Sequence, residues 1–303
     1  MIKKLIKYAV DPGYRFRRNA ARGHYDEMPD EEFLKRMYKA KTGRTLHLDD
    51  PKTFNEKLQW LKIHDRNPAY VEMVDKLAVK DYIKNKIGSQ YVIPTLGVWD
   101  CFEQIDFAHL PNQFVLKCNH DSGHVAICKD KASFNMTKAQ KELNYSLSHN
   151  YYYRYREWPY KNVPPRIFAE QYMEDQSGQE LRDYKVLCFH GEPKLIELHQ
   201  GRFSDHPTQD FYDVDWNKLP ISQSGNPQYK VTQDVYPRPS VLEEMLRLSK
   251  VLSQGIPHIR VDWYDIKDQL YFGELTLYDG SGFVLFDNPE DDLMLGSWIQ
   301  LPD

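Results

Sequence analysis

The sequence predicts an α+β fold, because helical and extended patterns occupy different parts of the chain. In the first quarter, apolar residues recur every three to four positions, as they do on one face of a helix. Further along, short runs that alternate with period two are separated by Gly, Pro and Asp, as antiparallel strands are by their turns. A chain of 303 residues, 41% hydrophobic and 28% charged, is long enough for a sizeable core and for more than one lobe.

Composition excludes several classes of function. A net charge of −4 gives no overall case for nucleic-acid binding. No run of about 18 apolar residues is present that would span a bilayer, and the start lacks a secretory core and cleavage site, so we expect a cytoplasmic protein. Neither a zinc site nor a disulfide framework is indicated, because the four cysteines form no C-x-x-C pair: Cys101, Cys118, Cys128 and Cys188.

Residues 1–23 are strongly basic, with seven Lys and Arg against Asp11. Apolar side chains are interleaved with them, which is typical of an amphipathic helix on an anionic membrane surface. Peripheral contact with the inner face of a membrane is one interpretation, and a solvated basic helix is the other. The apolar residues are Ile2, Leu5, Ile6 and Tyr8.

Three further helices are predicted in the first third of the chain. The acidic residues after Pro29 suit the first turn of a helix that stops near Gly43. Thr53 opens the next helix. A third helix is predicted over residues 74–87, with Asp75-Lys76 at its start.

Strands and loops follow. Residues 91–94 are predicted to be extended, and strands are predicted over 114–117 and 125–128. Between these two strands, Lys117 and the Ser122-Gly123 loop can place an ammonium group and backbone N–H groups against phosphate oxygens. A plain hairpin turn is the alternative, because the loop is not a Walker motif.

A polar helix is predicted over residues 131–147, followed by a Tyr- and Arg-rich stretch at 150–160. That stretch suits either stacking on sugars or bases, or an exposed helix lying over the core. Pro164-Pro165 then marks a boundary. After it we predict a meander of antiparallel strands over 166–173, 183–190 and 194–199, with a turn at Ser177-Gly178.

The polar segment 201–238 is predicted to be a long, irregular excursion. It contains Asp213-Val214-Asp215, a D-x-D sequence of the kind with which many glycosyltransferases hold a metal and a sugar nucleotide, although so short a motif often occurs by chance. Beyond it, an amphipathic helix is predicted over 240–252. Ser240 is its predicted N-cap, and Glu243 completes a capping box.

The most informative stretch is a predicted hairpin with arms at 258–264 and 270–276. Arg260 and Asp262 share one face of the first arm, because residues two apart in a strand point the same way. If the turn is centred near Asp268, Asp262 lies roughly opposite Glu274. Two adjacent carboxylates need a cation, and with the hydroxyl of Thr276 they form the oxygen set that Mg²⁺ prefers.

The order of these motifs resembles that of the ATP-grasp nucleotide site and, more narrowly, the TupA-like ATP-grasp family of bacterial surface-polysaccharide gene clusters. The resemblance covers nearly the whole chain. It implies two α+β lobes that sandwich Mg-ATP at 71–163 and 164–303, after a helical region at 1–70. The motifs are Pro51 to Trp60, Asp75-Lys76, Val115-Leu116-Lys117, Ala169 to Met173, Asp183-Tyr184-Lys185, Arg260-Val261-Asp262 and Glu274-Leu275-Thr276.

The resemblance also implies roles for individual residues. The ATP phosphates would be bound by Lys76 and Lys117, with Lys185 as an extra contact, and covered by the Ser122-Gly123 loop. Adenine would lie against Glu170 and the backbone of Gln171, Tyr172 and Met173, and ribose against Asp183. Asp262, Glu274 and Thr276 would hold Mg²⁺, although many relatives carry asparagine in place of Thr276. Arg260 and Lys117 would be catalytic.

The activity that the resemblance implies is ATP-dependent ligation of a carboxylate to an amine through an acyl phosphate, in surface-polysaccharide or capsule biosynthesis. The substrates would be a small-molecule or glycan carboxylate and an amine. Three alternatives remain open: a glycosyltransferase that uses Asp213 and Asp215, a glycan kinase on the same ATP site, and a nucleotide-binding scaffold at the membrane surface that has lost its chemistry.

Overall fold

The structure, a computed structural model, describes residues 2–174, 182–201, 206–224 and 229–302. It begins with a helical layer. Asp11 separates the first two helices, and its carboxylate caps the second by accepting the N–H of Tyr14 at 2.8 Å. The helices of this layer are α1 (Ile2–Val10), α2 (Pro12–Ala20), α3 (Asp30–Thr42) and α4 (Phe54–His64).

Helix α4 begins directly after Thr53, the residue that was predicted to open it. Thr53 Oγ1 accepts the N–H of Glu56 at 3.2 Å, and the Glu56 carboxylate accepts the N–H of Thr53 at 3.1 Å. This reciprocal capping box satisfies two backbone donors at the helix start. The α4 side chains pack into the main core rather than into a separate N-terminal unit, with Leu58 buried beside residues of the second sheet.

The helix predicted over 74–87 is two helices, α5 (Ala69–Val74) and α6 (Ala78–Lys86). The chain turns at Asp75, whose Oδ1 accepts the N–H groups of Leu77 at 2.8 Å and Ala78 at 3.3 Å. An Asp side chain that bonds to the backbone two and three residues later starts a new helix instead of continuing the old one. Lys76 therefore lies in the break between the two helices.

The first sheet is antiparallel, and in the described part of the chain its strand order is β1-β4-β2-β3. Strand β4 follows Pro164, where the lobe boundary was predicted. It pairs with β1 and β2 instead of joining the later meander. Within the segment 91–94, which was predicted to be extended, Tyr91 ends a 3₁₀ turn, whereas Val92 is extended and forms an isolated bridge with Phe272. The strands are β1 (Thr95–Trp99), β2 (Phe114–Cys118), β3 (Val125–Cys128) and β4 (Ile167–Gln171).

Two helices, α7 (Met136–Leu147) and α8 (Tyr152–Tyr155), connect β3 to β4. The first begins later than predicted, because Asn135 caps it by accepting the N–H of Lys138 at 2.9 Å. In the Tyr- and Arg-rich stretch, the buried side chains stabilise the fold. The fully buried Arg156 donates to the carbonyl oxygen of Tyr25 at 2.6 Å, so it is neither an exposed surface residue nor a stacking platform.

The second sheet is also antiparallel, and its described strands follow the order β10-β9-β5-β6-β7-β8. Helix α9 (Leu242–Leu252) packs on one face, where Trp263 Nε1 donates to Ser249 Oγ at 2.8 Å. The last helix, α10 (Pro289–Ser297), packs against α4. The strands are β5 (Asp183–Phe189), β6 (Glu192–Gln200), β7 (Thr208–Tyr212), β8 (Lys218–Leu219), β9 (His258–Ile266) and β10 (Gln269–Thr276).

Two local predictions around this sheet need correction. Helix α9 begins at Leu242 without a side-chain cap, and Ser240 instead bonds to Asp268 at the hairpin tip. The segment 201–238 is not wholly irregular, because it contains β7 and β8. The predicted Ser177-Gly178 turn lies outside the described residues. None of the described helices is long and apolar enough to cross a bilayer.

Candidate active site

A cavity of about 690 Å³ lies between the two sheets. One wall is formed by residues from α6 and the first sheet, and the other by residues from β5, β6, β9 and β10 of the second sheet. Residues predicted from distant motifs meet here. Those that line the cavity are Lys76, Lys117, Ser122, Gly123, Glu170, Gln171, Tyr172, Met173, Asp183, Lys185, Asp262 and Glu274.

At the first-sheet end, two lysines share one carboxylate. Glu170 Oε2 is 2.5 Å from Lys117 Nζ, and Glu170 Oε1 is 2.6 Å from Lys80 Nζ. Burial alone would raise the pKa of Glu170, but the two ammonium groups hold it below its usual value. The Glu170 carboxylate, predicted to contact adenine, is thus engaged by lysines in this structure. We call Lys76, Lys80 and Lys117 the lysine end.

Lys80 is a site residue that the sequence analysis missed. It is buried, and its ammonium group also donates to the Ile93 carbonyl oxygen at 2.8 Å and to Thr95 Oγ1 at 2.9 Å. Burial lowers the pKa of Lys80, although its contact with Glu170 partly opposes this effect. The available signal was its position four residues after Lys76 in the helix predicted over 74–87, because that spacing would place both side chains on one helix face, although Lys76 in fact precedes α6.

The loop between β2 and β3 lies beside these lysines. Asn119 fixes its start by donating to Asp75 Oδ1 at 3.0 Å, and Lys76 Nζ donates to the Asp121 carbonyl oxygen. At the tip, Gly123 has a φ of +104°, a conformation that glycine adopts without strain. A Cβ added to Gly123 would meet no atom within 4 Å, so the tip is open.

At the second-sheet end, charges alternate across three neighbouring strands. Lys185 on β5 pairs in register with Glu197 on β6 and with Asp262 on β9. Its ammonium group is 2.6 Å from Asp262 Oδ2 and 2.7 Å from Asp183 Oδ2. Burial disfavours the charged ammonium, but these two carboxylates outweigh that effect and raise the pKa of Lys185.

Arg260 binds the other carboxylates at this end. Its guanidinium makes a bidentate contact with Asp262, at 2.6 and 2.7 Å, and reaches Glu274 Oε1 at 3.1 Å. Burial would raise the pKa of Asp262, yet Arg260 and Lys185 lower it to about 2. Arg260 thus offsets the carboxylate repulsion for which the sequence predicted a metal. We call Asp183, Lys185, Arg260, Asp262, Glu274 and Asp279 the carboxylate end.

A bulge in the hairpin brings Glu274 beside Asp262. Phe272 pairs with Trp263 and Leu275 with Val261, so both Gly273 and Glu274 lie opposite Asp262. An added Cβ at Gly273 would be 3.1 Å from the Asp262 carbonyl oxygen, which explains why glycine suits this close approach. Thr276 Oγ1 is 3.4 Å from Glu274 Oε1. Neither Thr276 nor Arg260 lines the cavity.

Asp279 is a second residue that the sequence analysis missed. It is buried and accepts a hydrogen bond from Arg260 Nη1. Asp279 begins a turn in which Gly280 and Ser281 have φ values of +51° and +56°. The sequence Asp-Gly-Ser-Gly was the available signal, because such residues accept this backbone conformation.

Helix α4 holds the Asp279 turn in place. Gln59 Nε2 donates to the Gly282 carbonyl oxygen at 2.6 Å, and the buried Lys62 Nζ donates to the Ser281 carbonyl oxygen at 2.8 Å. Ser281 Oγ in turn donates to the buried Glu157 at 2.6 Å. Burial lowers the pKa of Lys62 to about 7. The early helical segment thus supports the Asp279–Arg260 contact.

The D-x-D sequence has a local structural role. Asp213 Oδ1 accepts the N–H groups of Asp215 at 3.0 Å and Asn217 at 2.8 Å, which closes a turn beside β7. Neither Asp213 nor Asp215 lines the cavity. No group of three or more His, Cys, Asp or Glu among the described residues is arranged to hold a metal ion.

Two antiparallel sheets enclose a cleft with the lysine end on one side and the carboxylate end on the other, and this fold is of the ATP-grasp class. The chain belongs to the TupA-like ATP-grasp family, whose model matches residues 56–300. This match confirms the predicted family and fold. Members of the ATP-grasp superfamily are ATP-dependent ligases.

Solved ATP-grasp structures are only distantly similar. D-alanine–D-alanine ligase from Bacillus anthracis, complexed with ATP, is 13% identical (TM-score 0.38, 68% of this chain and 53% of that chain). The Helicobacter pylori enzyme is 18% identical (TM-score 0.43, 82% and 69%). The ATP-grasp ligase PsnB, with a precursor variant, Mg and ADP, is 10% identical (TM-score 0.37, 80% and 65%). The chain therefore spans about half the length of the first of these. No curated protein matches it.

Proposed function

We propose that the protein joins a carboxylate to an amine at the expense of ATP, through an acyl phosphate. The observation that carries this proposal is the opposite charge of the two ends of one cavity. Lys76, Lys80 and Lys117 suit an anionic triphosphate, whereas Asp262 and Glu274 suit its metal ion. Membership of a superfamily of ATP-dependent ligases supports the same reaction type.

In this proposal, ATP lies along the cavity. The cavity volume of about 690 Å³ is in the range of small-molecule and cofactor sites. Lys76 and Lys117 bind phosphate oxygens, Ser122 and Gly123 cover them, and Lys185 adds a contact from the opposite sheet. The backbone of residues 171–173 faces adenine, and Asp183 faces ribose.

The carboxylate end has the donors that Mg²⁺ needs. Magnesium keeps several waters and takes only one or two protein carboxylates when it is bound with nucleotide phosphates, so Asp262 and Glu274 suffice. The Glu274 side chain is 36% exposed and can reach the cavity, while Arg260 and Lys185 hold Asp262. When bound, the metal would offset charge on the phosphate oxygens.

Two bond exchanges complete the proposed reaction. An oxygen of the acceptor carboxylate attacks the γ-phosphorus, and ADP leaves. The amine nitrogen then attacks the acyl carbon, inorganic phosphate leaves, and the amine proton passes to solvent. Lys117 holds the transferred phosphoryl group, and Arg260 stabilises negative charge near the acyl centre when the site is loaded. No protein nucleophile is required.

We place this reaction in the bacterial cytoplasm, in the assembly of surface polysaccharide or capsule. The first substrates to test are an amino acid, which supplies the amine, and a uronic acid of the glycan, which supplies the carboxylate. A glycan kinase would use the same lysine end but would leave a stable phosphate on a hydroxyl. A glycosyltransferase would need Asp213 and Asp215 as metal ligands, and Asp213 is occupied by its own turn.

A hydroxylamine trap tests the proposal. The protein is incubated with Mg-ATP, a panel of carboxylates that includes uronic-acid glycans, and hydroxylamine in place of the amine, and both hydroxamate and ADP are measured. Hydroxamate formed in equal amount to ADP supports the ligase, and Asp262→Asn should abolish it. Asp215→Asn is the matched control, because this acid is exposed and outside the cavity.

Two other results would overturn the ligase proposal. A phosphorylated glycan without hydroxamate would identify a kinase. Thermal stabilisation by Mg-UDP-sugars but not by Mg-ATP, lost in Asp215→Asn, would identify a glycosyltransferase.

A further inference from the structure

We propose that α1 docks the protein onto an anionic lipid bilayer. The helix carries three large apolar side chains that the described part of the protein leaves uncovered. The exposed fractions are 64% for Leu5, 57% for Ile6 and 72% for Val10. In an α-helix these residues and Ala9 lie on one continuous stripe, since successive residues are about 100° apart.

Contacts with α2 hold α1 by another side. Tyr8 Oη donates to Asn19 Oδ1 at 2.6 Å, and Arg15 donates to the Ala9 carbonyl oxygen at 2.9 Å. Tyr8 lies outside the apolar stripe on the helix circumference. The body of the protein therefore presents this stripe to solvent instead of burying it.

The charges beside the stripe indicate what covers it. Lys4 and Lys7 lie on the other side of α1, Lys3 borders the stripe, and Arg18 and Arg22 are exposed on and just after α2. A helix with one apolar face and one basic face lies in the plane of a membrane, with its cations at the headgroups. Nucleic acid would use these cations but not the apolar stripe, and an apolar protein groove would not need the cations.

The overall charge sharpens this orientation. The chain has a net charge of −4, although its first 23 residues contain seven basic side chains and a single acidic one. An anionic surface therefore attracts this end and repels the rest of the molecule. The inference does not rest on the proposed reaction, because it uses no residue of the cavity.

Vesicle sedimentation with the full chain tests the inference. Vesicles of phosphatidylcholine with about a third phosphatidylglycerol are compared with pure phosphatidylcholine vesicles at low salt. We expect binding to the anionic vesicles, weakened as salt is raised. Each cation near such a surface is worth about fivefold in affinity, so Lys3→Gln/Lys4→Gln/Lys7→Gln should bind on the order of 100-fold more weakly.

The apolar stripe has its own variant. Leu5→Ser/Ile6→Ser should bind at least about tenfold more weakly, since it removes two membrane-buried side chains. The matched control is Val235→Ser/Leu293→Ser, which removes two exposed apolar side chains elsewhere and should bind as the wild type does. Thermal unfolding of all variants in the absence of lipid checks that the fold is kept.

Two results would overturn the inference. One is equal binding of the wild type and both α1 variants to anionic vesicles. The other is a wild-type dimer that Leu5→Ser/Ile6→Ser converts to monomer while lipid binding is absent, since the stripe would then be covered by a second copy of the chain. Sedimentation velocity without lipid measures the second outcome.

Discussion

The two ends of the cavity balance charge in opposite ways. At the lysine end, Lys80 and Lys117 share the carboxylate of Glu170, and Lys76 lines the same cavity, so cations are in excess. At the carboxylate end, four acids surround two cations, so negative charge is in excess. These groups are Asp183, Asp262, Glu274 and Asp279 with Lys185 and Arg260.

This difference suits the ligand of the proposed function, because Mg-ATP carries an anionic triphosphate and a cationic metal. Glu170 pairs with Lys80 and Lys117, and Lys76 donates to the Asp121 carbonyl oxygen. Arg260 pairs with three of the acids. Buried charges are tolerated only when they are paired in this way.

The largest effect is expected from Asp262→Asn, which breaks the centre of the carboxylate end. Arg260 and Lys185 would lose a buried partner, which costs about 3–5 kcal/mol of the free energy of unfolding. Turnover of Mg-ATP should fall on the order of 1,000-fold, since a charge-stabilising group is lost. Steady-state kinetics and denaturant unfolding measure both, and unchanged turnover would show that the metal site lies elsewhere.

Glu170→Gln breaks the lysine end and should cost about 3 kcal/mol, because Lys80 and Lys117 lose their shared carboxylate. Added Mg-ATP should then raise the melting temperature more in this variant than in the wild type, since the triphosphate takes over the pairing. Glu192→Gln is the control: its ion pair with Lys250 is exposed, so stability should change by less than about 1 kcal/mol. A smaller Mg-ATP effect in Glu170→Gln would contradict the comparison.

Arg260→Lys keeps the positive charge at the carboxylate end but removes the guanidinium that makes the bidentate contact with Asp262. A lysine cannot bind Asp262 through two nitrogens while it also reaches Glu274 and Asp279. We expect kcat to fall about 10- to 100-fold and the Mg²⁺ concentration for half-maximal rate to rise. Arg238→Lys, at an exposed ion pair with Glu243, should leave both values unchanged. If the two variants behaved alike, the bidentate geometry would have no role.

The smallest effect is expected from acid, which should lower the free energy of unfolding by protonating Asp262. The pKa of Asp262 is about 2 in the folded protein, below the usual 3.8, so the stability it contributes is complete above about pH 5 and is lost as pH falls toward 2. We expect this loss to be on the order of 2 kcal/mol. Unfolding free energies measured from pH 5 to 2.5 should fall more steeply for the wild type than for Asp262→Asn, and parallel curves would refute the assignment.

Local patterns predicted a large part of the fold. Period-two alternation predicted β9 and β10, and Thr53 predicted the start of α4, because these features depend on residues that are neighbours in the chain. The hairpin turn is tighter than predicted: Lys267 and Asp268 alone form it, with φ values of +55° and +63°. Sheet membership was less predictable, and β4 was assigned to the wrong sheet because pairing partners leave no local mark.

The candidate site divides in the same way. The motifs correctly predicted twelve residues that line the cavity, the first being Lys76 and the last Glu274. Their functional roles remain predictions. Lys80 and Asp279 were missed, because each is defined by a partner far away in the chain: Glu170 for Lys80 and Arg260 for Asp279. An isolated lysine or aspartate in a sequence looks the same whether it is solvated or buried in an ion pair.

The sequence by itself determined the family, the α+β class and the two arms of the hairpin, since all of these follow from motif order and from periodicity along the chain. Only the tertiary structure decided how the charges are paired. The bulge at Gly273, the shared carboxylate of Glu170 and the support of Asp279 by α4 each depend on packing between distant segments. The physical reason is that burial sets the strength of an ion pair, and burial is a property of the folded chain.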